Sequence, residues 1–176
     1  MNFQKLVKTR YSVRGYRPDP VEDKKLQKIL EAVRLAPTAH NVQPFQLIVI
    51  HTQGKEAELG RIFTRPWFTQ APIVIAICGL PSQAWVRKDG KNYCDVDVTI
   101  AMDHLIMAAT DLGLGTCWIG AFDPAAAREV LGLPPEVEPI VFTPLGYPSL
   151  TSPNTERAAA PKKRKPLEEI VRYEHW

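Results

Sequence analysis

The chain has 176 residues, 45% of them hydrophobic and 23% charged, with a net charge of +3; this fits one globular domain with a real core and leaves little room for a second. The positive charge is mild and gathered at the two ends, so composition makes no case for nucleic-acid binding, and the longest apolar run, APIVIAICGL, is too short to cross a bilayer. MNFQKLVKTR has no apolar signal core, and three cysteines (Cys78, Cys94, Cys117) with no CxxC pair argue for reduced thiols; both point to a cytoplasmic protein.

No internal repeat or interdomain linker is visible, so residues 1–176 read as a single domain. Residues 19–36 predict a helix: Asp19 can cap it, Pro20 suits the first helical position, and Glu22 completes a capping box. Leu26, Ile29, Leu30 and Val33 give it one apolar stripe, and Pro37 ends it. PFQLIVIH predicts a strand, residues 54–63 a polar helix, and IVIAIC a second strand; continuous apolar runs of this kind fit strands covered on both faces. Residues 95–112 predict a helix apolar round most of its circumference, which belongs in a core or a subunit interface, with Gly113 and Gly115 closing it. TCWIGAF predicts a third strand, Asp123-Pro124 the start of a short helix stopping at Gly132, and EPIVFTPLGYP a fourth strand. Residues 151–166 are rich in Pro, Ala, Lys and Arg, and LEEIVRYEHW then turns apolar again. A structureless link of that length is uncommon inside a compact domain, so the closing segment is expected to reach a second copy of the chain. The sum is a mixed sheet with helices packed on it.

Four stretches carry candidate chemistry. In RYSVRGYRPDP, extended backbone would put Arg10, Ser12 and Arg14 on one side, about 7 Å apart in pairs. Two guanidinium forks and a hydroxyl suit a phosphate or carboxylate; two surface arginines with no ligand are the plainer reading of the triplet alone. LAPTAHNVQPF holds Thr38, His40, Asn41 and Gln43 between two prolines, a stiff loop of uncharged donors and acceptors suited to a sugar-like chain or a heterocycle edge, or a turn that bonds its own backbone. GLGTCWIGAFDP fails as a dinucleotide fingerprint, because its glycines precede a strand; Gly120 and Ala121 instead offer bare backbone that a flat ring could approach. PKKRKP is a solvated tail, a nucleic-acid or membrane patch, or a second pair of cations, Lys162 and Arg164, for the anion met by Arg10 and Arg14. Asp97 and His104 share a helix face but lack a third metal ligand, and no G-x-S-x-G elbow supports a serine hydrolase.

Taken in order, R-Y-S-V-R, A-P-T-A-H-N-V-Q-P-F, G-L-G-T-C-W-I-G-A-F, L-G-Y-P and P-K-K-R-K-P-L resemble the nitroreductase family of flavin enzymes over nearly the whole chain. The resemblance implies an α+β fold with a mixed, mainly antiparallel sheet flanked by helices. It also implies an intertwined homodimer whose C-terminal segment reaches the partner, with FMN bound at the subunit interface. The implied reaction moves hydride from NADH or NADPH through FMN to a small acceptor such as a nitroaromatic or quinone, by a ping-pong route with no side chain acting as nucleophile or base. Carried over by position, Arg10, Ser12 and Arg14 hold the FMN phosphate, ribityl chain and pyrimidine edge, with Tyr11 contributing backbone. Pro37, Thr38 and Asn41 come from the other subunit, Ile119, Gly120 and Ala121 lie beside the flavin, and Lys162 and Arg164 close on the phosphate. Larger members often carry Glu-Gly where this chain has Gly120-Ala121, and a longer insertion where it has LPSQAWVRKDGKNYCD. Trp85, Arg87 and Tyr93 on that connection are the candidate acceptor-pocket residues. A reductive dehalogenase, a flavin-consuming relative or a non-catalytic flavin-binding protein are the alternatives.

Overall fold

The computed structural model describes residues 1–150 and 163–176. Its helices are α1 (Phe3–Thr9), α2 (Asp23–Arg34), α3 (Glu56–Ile62), α4 (Trp67–Gln70), α5 (Cys94–Asp111), α6 (Pro124–Leu131) and α7 (Leu167–Ile170). The strands β1 (Phe45–His51), β2 (Ile73–Gly79), β3 (Gly115–Thr116) and β4 (Glu138–Gly146) form one sheet in the order β1-β2-β4-β3, every pair antiparallel. The parallel element of the expected mixed sheet is a single bridge between Ser12 and Thr116.

β2 explains the layering. It is buried along its whole length, as its continuous apolar run predicts. Alternation along the strand sends Ile73, Ile75 and Ile77 into one apolar cluster with α2 and α5. Val74, Ala76 and Cys78 enter a second cluster on the opposite face, with α3, α4 and α6. β1 has the same kind of sequence but lies at the sheet edge, and only Ile50 along it is fully buried. Burial here follows position in the sheet, which the apolar run alone does not encode.

Three local readings need correction. The helix predicted from Asp19 starts four residues later, with Glu22 as its cap residue and no side-chain capping bond. Asp19 instead pairs with Arg17, two residues back, at 3.2 Å, and the Glu22 carboxylate accepts the hydroxyl of the distant Tyr147 at 2.6 Å, so a near neighbour and a tertiary partner take the two acids from the helix end. TCWIGAF does not run as one strand. β3 stops at Thr116 because the next residue in register, Cys117, falls opposite Pro144, which has no N–H to give. The Cys117 amide turns to the Thr143 hydroxyl at 3.1 Å, and pairing resumes only at Ile119, which exchanges bonds of 2.9 and 3.0 Å with Phe142. Gly113 closes α5 in the left-handed region (φ 76°), but Gly115 serves another purpose: a Cβ there would lie 2.6 Å from Val13. Its bareness lets residues 11–13 lie against β3.

Other readings hold. α6 begins with Asp123 accepting the Ala125 and Ala126 amides at 2.9 and 3.0 Å and ends at Gly132 in the left-handed region. α5 is buried at Cys94, Asp97, Val98, Ala101, Met102, Leu105, Ile106 and Ala109, which locks it to the sheet. α1 and α4, short and with no strong periodicity, were not anticipated. Most of the connection 151–166, including Lys162, lies outside the described residues; beyond it Leu167, Ile170, Tyr173 and Trp176 are all exposed. No described helix is long and apolar enough to cross a membrane.

The three thiols are buried. Burial pushes Cys78 and Cys94 up to about 11 from an ordinary value of 9.0, so the folded chain keeps protons that the unfolded chain releases. That stability is fully present below the unfolded value and is lost as pH rises toward the folded one. Melting followed by circular dichroism under reducing conditions should therefore show Tm falling between pH 9 and 11, with a shallower fall in Cys78→Ala.

Candidate cofactor site

The opening segment forms one half of the site. α1 ends at Thr9, and residues 10–16 run extended, pinned where the Val13 amide meets the Thr116 carbonyl at 2.9 Å. Val13 is buried against Gly115 and Tyr16, with Tyr11 packed partly beside them. Alternation then places Arg10, Ser12 and Arg14 on the other side of the backbone, each half-buried. The structure brings all three to one spot. The Cys117 thiol, 4% exposed, feels hydrogen bonds from Ser12 and Arg14 and the charges of Arg14 and Arg10. Burial outweighs them and raises the thiol, so Cys117 stays neutral and supplies no counter-charge to the two guanidinium groups.

Past Cys117 the chain exposes Trp118, buries Ile119 and surfaces again at Gly120 and Ala121. A Cβ on Gly120 would meet only Trp118 Nε1, at 3.8 Å, so nothing in this chain's packing requires glycine there and the space beside it is open.

The loop after α2 forms the other half. His40, Asn41 and Gln43 all have positive φ (52°, 56° and 55°), a conformation non-glycine residues adopt at a cost of about 1–3 kcal/mol each. Local bonds hold part of it: the Gln43 amide donates to Thr38 Oγ1 at 3.1 Å, and Gln43 Nε2 to the Asn41 carbonyl at 2.8 Å. Thr38 and Asn41 thus bond within the loop, as the turn reading expects, while Pro37 and Asn41 stay exposed. Two outside elements finish the job. The His40 ring stacks on Trp85 at 5.5 Å, and Asp97 Oδ1 on α5 accepts the Ala39 amide at 2.9 Å. Asp97 is 1% exposed and its Oδ2 has no partner among the described residues.

Trp85, Arg87 and Tyr93 sit together on a hairpin closed by the Val86–Asn92 bridge. Trp85 is half-buried between His40 and the Tyr93 edge at 4.9 Å; Arg87 is tied to Asp89 and donates to the Tyr93 hydroxyl at 3.2 Å. Arg164 is exposed, with its guanidinium on the neighbouring Lys163 carbonyl. His104 Nδ1 bonds the Ile100 carbonyl of its own helix, and no metal-binding group of three exists among the described residues.

The two halves lie at opposite ends of α5. Asp97 anchors the loop near its start, while Thr110 and Gly113 share a small cleft with Tyr11 and Val13 at its end. Thirteen helical residues separate Asp97 from Thr110, about 20 Å at 1.5 Å per residue. Sequence reading missed Asp97 as an anchor; it is one of four aspartates on α5 (Asp95, Asp97, Asp103 and Asp111), and the only one of them that is buried.

The fold is a three-layer α+β domain, with Arg10, Ser12 and Arg14 gathered near Cys117 and a bare strand end at Gly120 and Ala121. The sequence profile of the nitroreductase family matches residues 7–65 and 60–147. The chain is 30% identical over 155 residues to an Archaeoglobus fulgidus protein whose name couples NADH dehydrogenase with NAD(P)H nitroreductase, covering 82% of this chain and 84% of the relative. It is 27% identical over 182 residues to an FMN reductase [NAD(P)H] of Bacillus subtilis, covering 94% and 70%. The crystal structure of a nitroreductase family protein from Clostridium difficile superposes with a TM-score of 0.88 at 41% identity, covering 100% of both chains. This chain belongs to the nitroreductase family.

Asp97→Ala removes the side-chain acceptor of the Ala39 amide and should cost about 1.5–3 kcal/mol in urea unfolding, while Asp97→Asn, which keeps an acceptor, should recover most of it. Faster hydrogen exchange at Ala39 in the alanine variant alone would tie that loss to the loop.

Proposed function

We propose that residues 1–176 act as one FMN-binding domain of a homodimeric NAD(P)H oxidoreductase that reduces a small acceptor such as a nitroaromatic or quinone. The observation that carries this reading is the convergence of Arg10, Ser12 and Arg14 on one spot around the buried Cys117, three residues before the open Gly120–Ala121 edge. The donor set fits FMN: two guanidinium groups answer a doubly negative phosphate, the Ser12 hydroxyl and Tyr11 backbone suit the ribityl chain, and the bare edge beside Ile119 accommodates a flat ring. Bound FMN would supply two-electron chemistry by a ping-pong route, with overall balance NAD(P)H + H⁺ + quinone → NAD(P)⁺ + quinol. The chain's own residues bind and orient. Arg14 or Arg10 at the pyrimidine edge favours the reduced, anionic form, and no side chain acts as nucleophile or base.

The second copy follows from the length of α5. Pro37, Thr38 and Asn41 lie at its far end and complete the site only when supplied by a partner related by a two-fold axis. The surface fits such a partner. Phe3 and Leu35 are more than 60% exposed, and an apolar cleft of about 420 Å³ between α1, α2 and α5 is lined by Phe3, Leu6, Ala32, Met107 and Ala108. The tail after Pro166 is apolar and exposed, which suits an arm that reaches across and brings Arg164 to the phosphate; Lys162 lies outside the described residues. Trp85, Arg87 and Tyr93 would border the acceptor pocket, with Arg87 pre-oriented by Asp89.

The purified protein should sediment at about twice its 19.8 kDa chain mass, and its flavin absorbance should bleach anaerobically with NADH or NADPH and recover on adding a nitroaromatic or quinone. A monomer, or colour that never bleaches, overturns the reading. In titrations of apoprotein with FMN, Arg14→Ala should bind about tenfold or more weakly, the cost of one charged hydrogen bond. Gly120→Val should weaken FMN while leaving Tm unchanged, because its side chain enters open space; equal FMN affinity in both variants counts against the site.

A further inference from the structure

Beyond Ala121 the surface falls into a cleft of about 480 Å³, within the usual span of small-molecule sites of roughly 300–1,000 Å³. Arg61, Phe63, Thr64, Arg65, Ala121 and Asp123 line it. The Asp123 amide donates to the Ile62 carbonyl at 2.9 Å, which ties the strand end to the α3 side of the cleft. Phe63 is fixed in the wall by edge-on contacts with Trp67 and Phe68 at 5.4 and 5.5 Å.

The charges around this cleft are unequally committed. Arg61 is held by both carboxylate oxygens of Glu129. Asp123 Oδ1 is taken by two amides at the start of α6. Arg65 is different. Among the described residues its guanidinium has no hydrogen bond or ion pair, and only its backbone carbonyl is used, by the Phe68 amide at 2.9 Å. The Thr64 hydroxyl beside it has no hydrogen-bond partner among the described residues either. The cleft therefore combines an aromatic wall, one uncommitted hydroxyl and one cation without a counter-charge. Glu129 and Asp123, the acids near it, are already engaged.

We propose that this cleft receives an oxyanion carried by a ring-bearing reactant, with Arg65 as its cation and Thr64 as a neutral donor. The enzyme would accordingly favour acceptors bearing a carboxylate, sulfonate or phosphate over neutral ones of the same shape. The inference rests on the flavin reading above, since Ala121 places the cleft beside the ring-binding edge. A guanidinium matches a planar oxyanion in charge and geometry, and the partly enclosed wall keeps that match from being fully screened. The phosphates of the nicotinamide dinucleotide carry the same chemistry, and the test separates the two sources.

The probes are 4-nitrobenzoate and 4-nitrobenzamide, alike in shape and different in charge. With the holoenzyme, Arg65→Ala should raise KM for 4-nitrobenzoate about tenfold, leave KM for 4-nitrobenzamide within about twofold, and leave kcat unchanged; Arg65→Lys should recover part of the loss. A penalty confined to flavin reduction by NADH and NADPH assigns the oxyanion to the dinucleotide instead. Equal effects on charged and neutral acceptors with no effect on the donor, or no effect anywhere, overturn the proposal. Equilibrium dialysis of the two nitro compounds needs neither turnover nor flavin. Charge-dependent binding lost in Arg65→Ala supports the cleft even where the oxidoreductase reading fails, and charge-blind binding overturns it even where that reading stands.

Discussion

The rigid span of α5 is the constraint on which the rest depends. Its buried stripe packs on β2 and β4 through Val98, Ala101, Met102 and Leu105, so it can neither slide nor tilt without opening the core. At one end Asp97 fixes the loop that follows α2; at the other, the turn at Gly113 delivers Gly115 to the edge of the sheet, where Val13 and the arginine segment dock. Two groups of polar residues, each held to within a hydrogen bond, are thus kept about 20 Å apart. Neither group alone surrounds a ligand. On the proposed two-fold arrangement the same distance becomes the specification for the partner, and each copy donates a different end to each site.

Electrostatics sorts the roles at the arginine end. Cys117 is the nearest nucleophilic atom to Arg10 and Arg14, and cations beside a thiol ordinarily favour the thiolate. Here burial wins, and the thiol is raised rather than lowered. A neutral thiol is poor at covalent chemistry and does not neutralise the guanidinium groups. On the proposed reading no thiol chemistry is needed there, since the cofactor performs the redox step and the residues around it bind and orient.

Much of this was legible in the sequence, for physical reasons that can be named. The start and stop of α6 were written in Asp123, Pro124 and Gly132, because those side chains act on their own backbone. The same logic failed at Asp19 and Glu22: the first carboxylate turns back to Arg17, two residues away, and the second is drawn to Tyr147, which no local pattern connects to a helix start. The break after Thr116 was unreadable in TCWIGAF itself, since its cause is a proline on the partner strand. Alternation of Arg10, Ser12 and Arg14 was legible because an extended backbone fixes the direction of every second side chain. The loop's left-handed residues were not, because strain of that kind is imposed from outside by Asp97 and Trp85.

That imposed strain links the two sides of the site. Three positive-φ residues at about 1–3 kcal/mol each exceed what the internal Gln43 bonds, at roughly 1 kcal/mol apiece, can offset. Holding the loop draws on the Asp97 acceptor and the His40–Trp85 stack, the latter worth about 0.5–1.5 kcal/mol. Trp85 in turn is seated by Tyr93, which Arg87 and Lys91 cover from the hairpin. A ligand that displaces the hairpin must therefore withdraw part of the support of the loop carrying Thr38 and Asn41. Occupancy beside the hairpin and the shape of the cofactor loop are not independent, and the coupling runs through one ring contact.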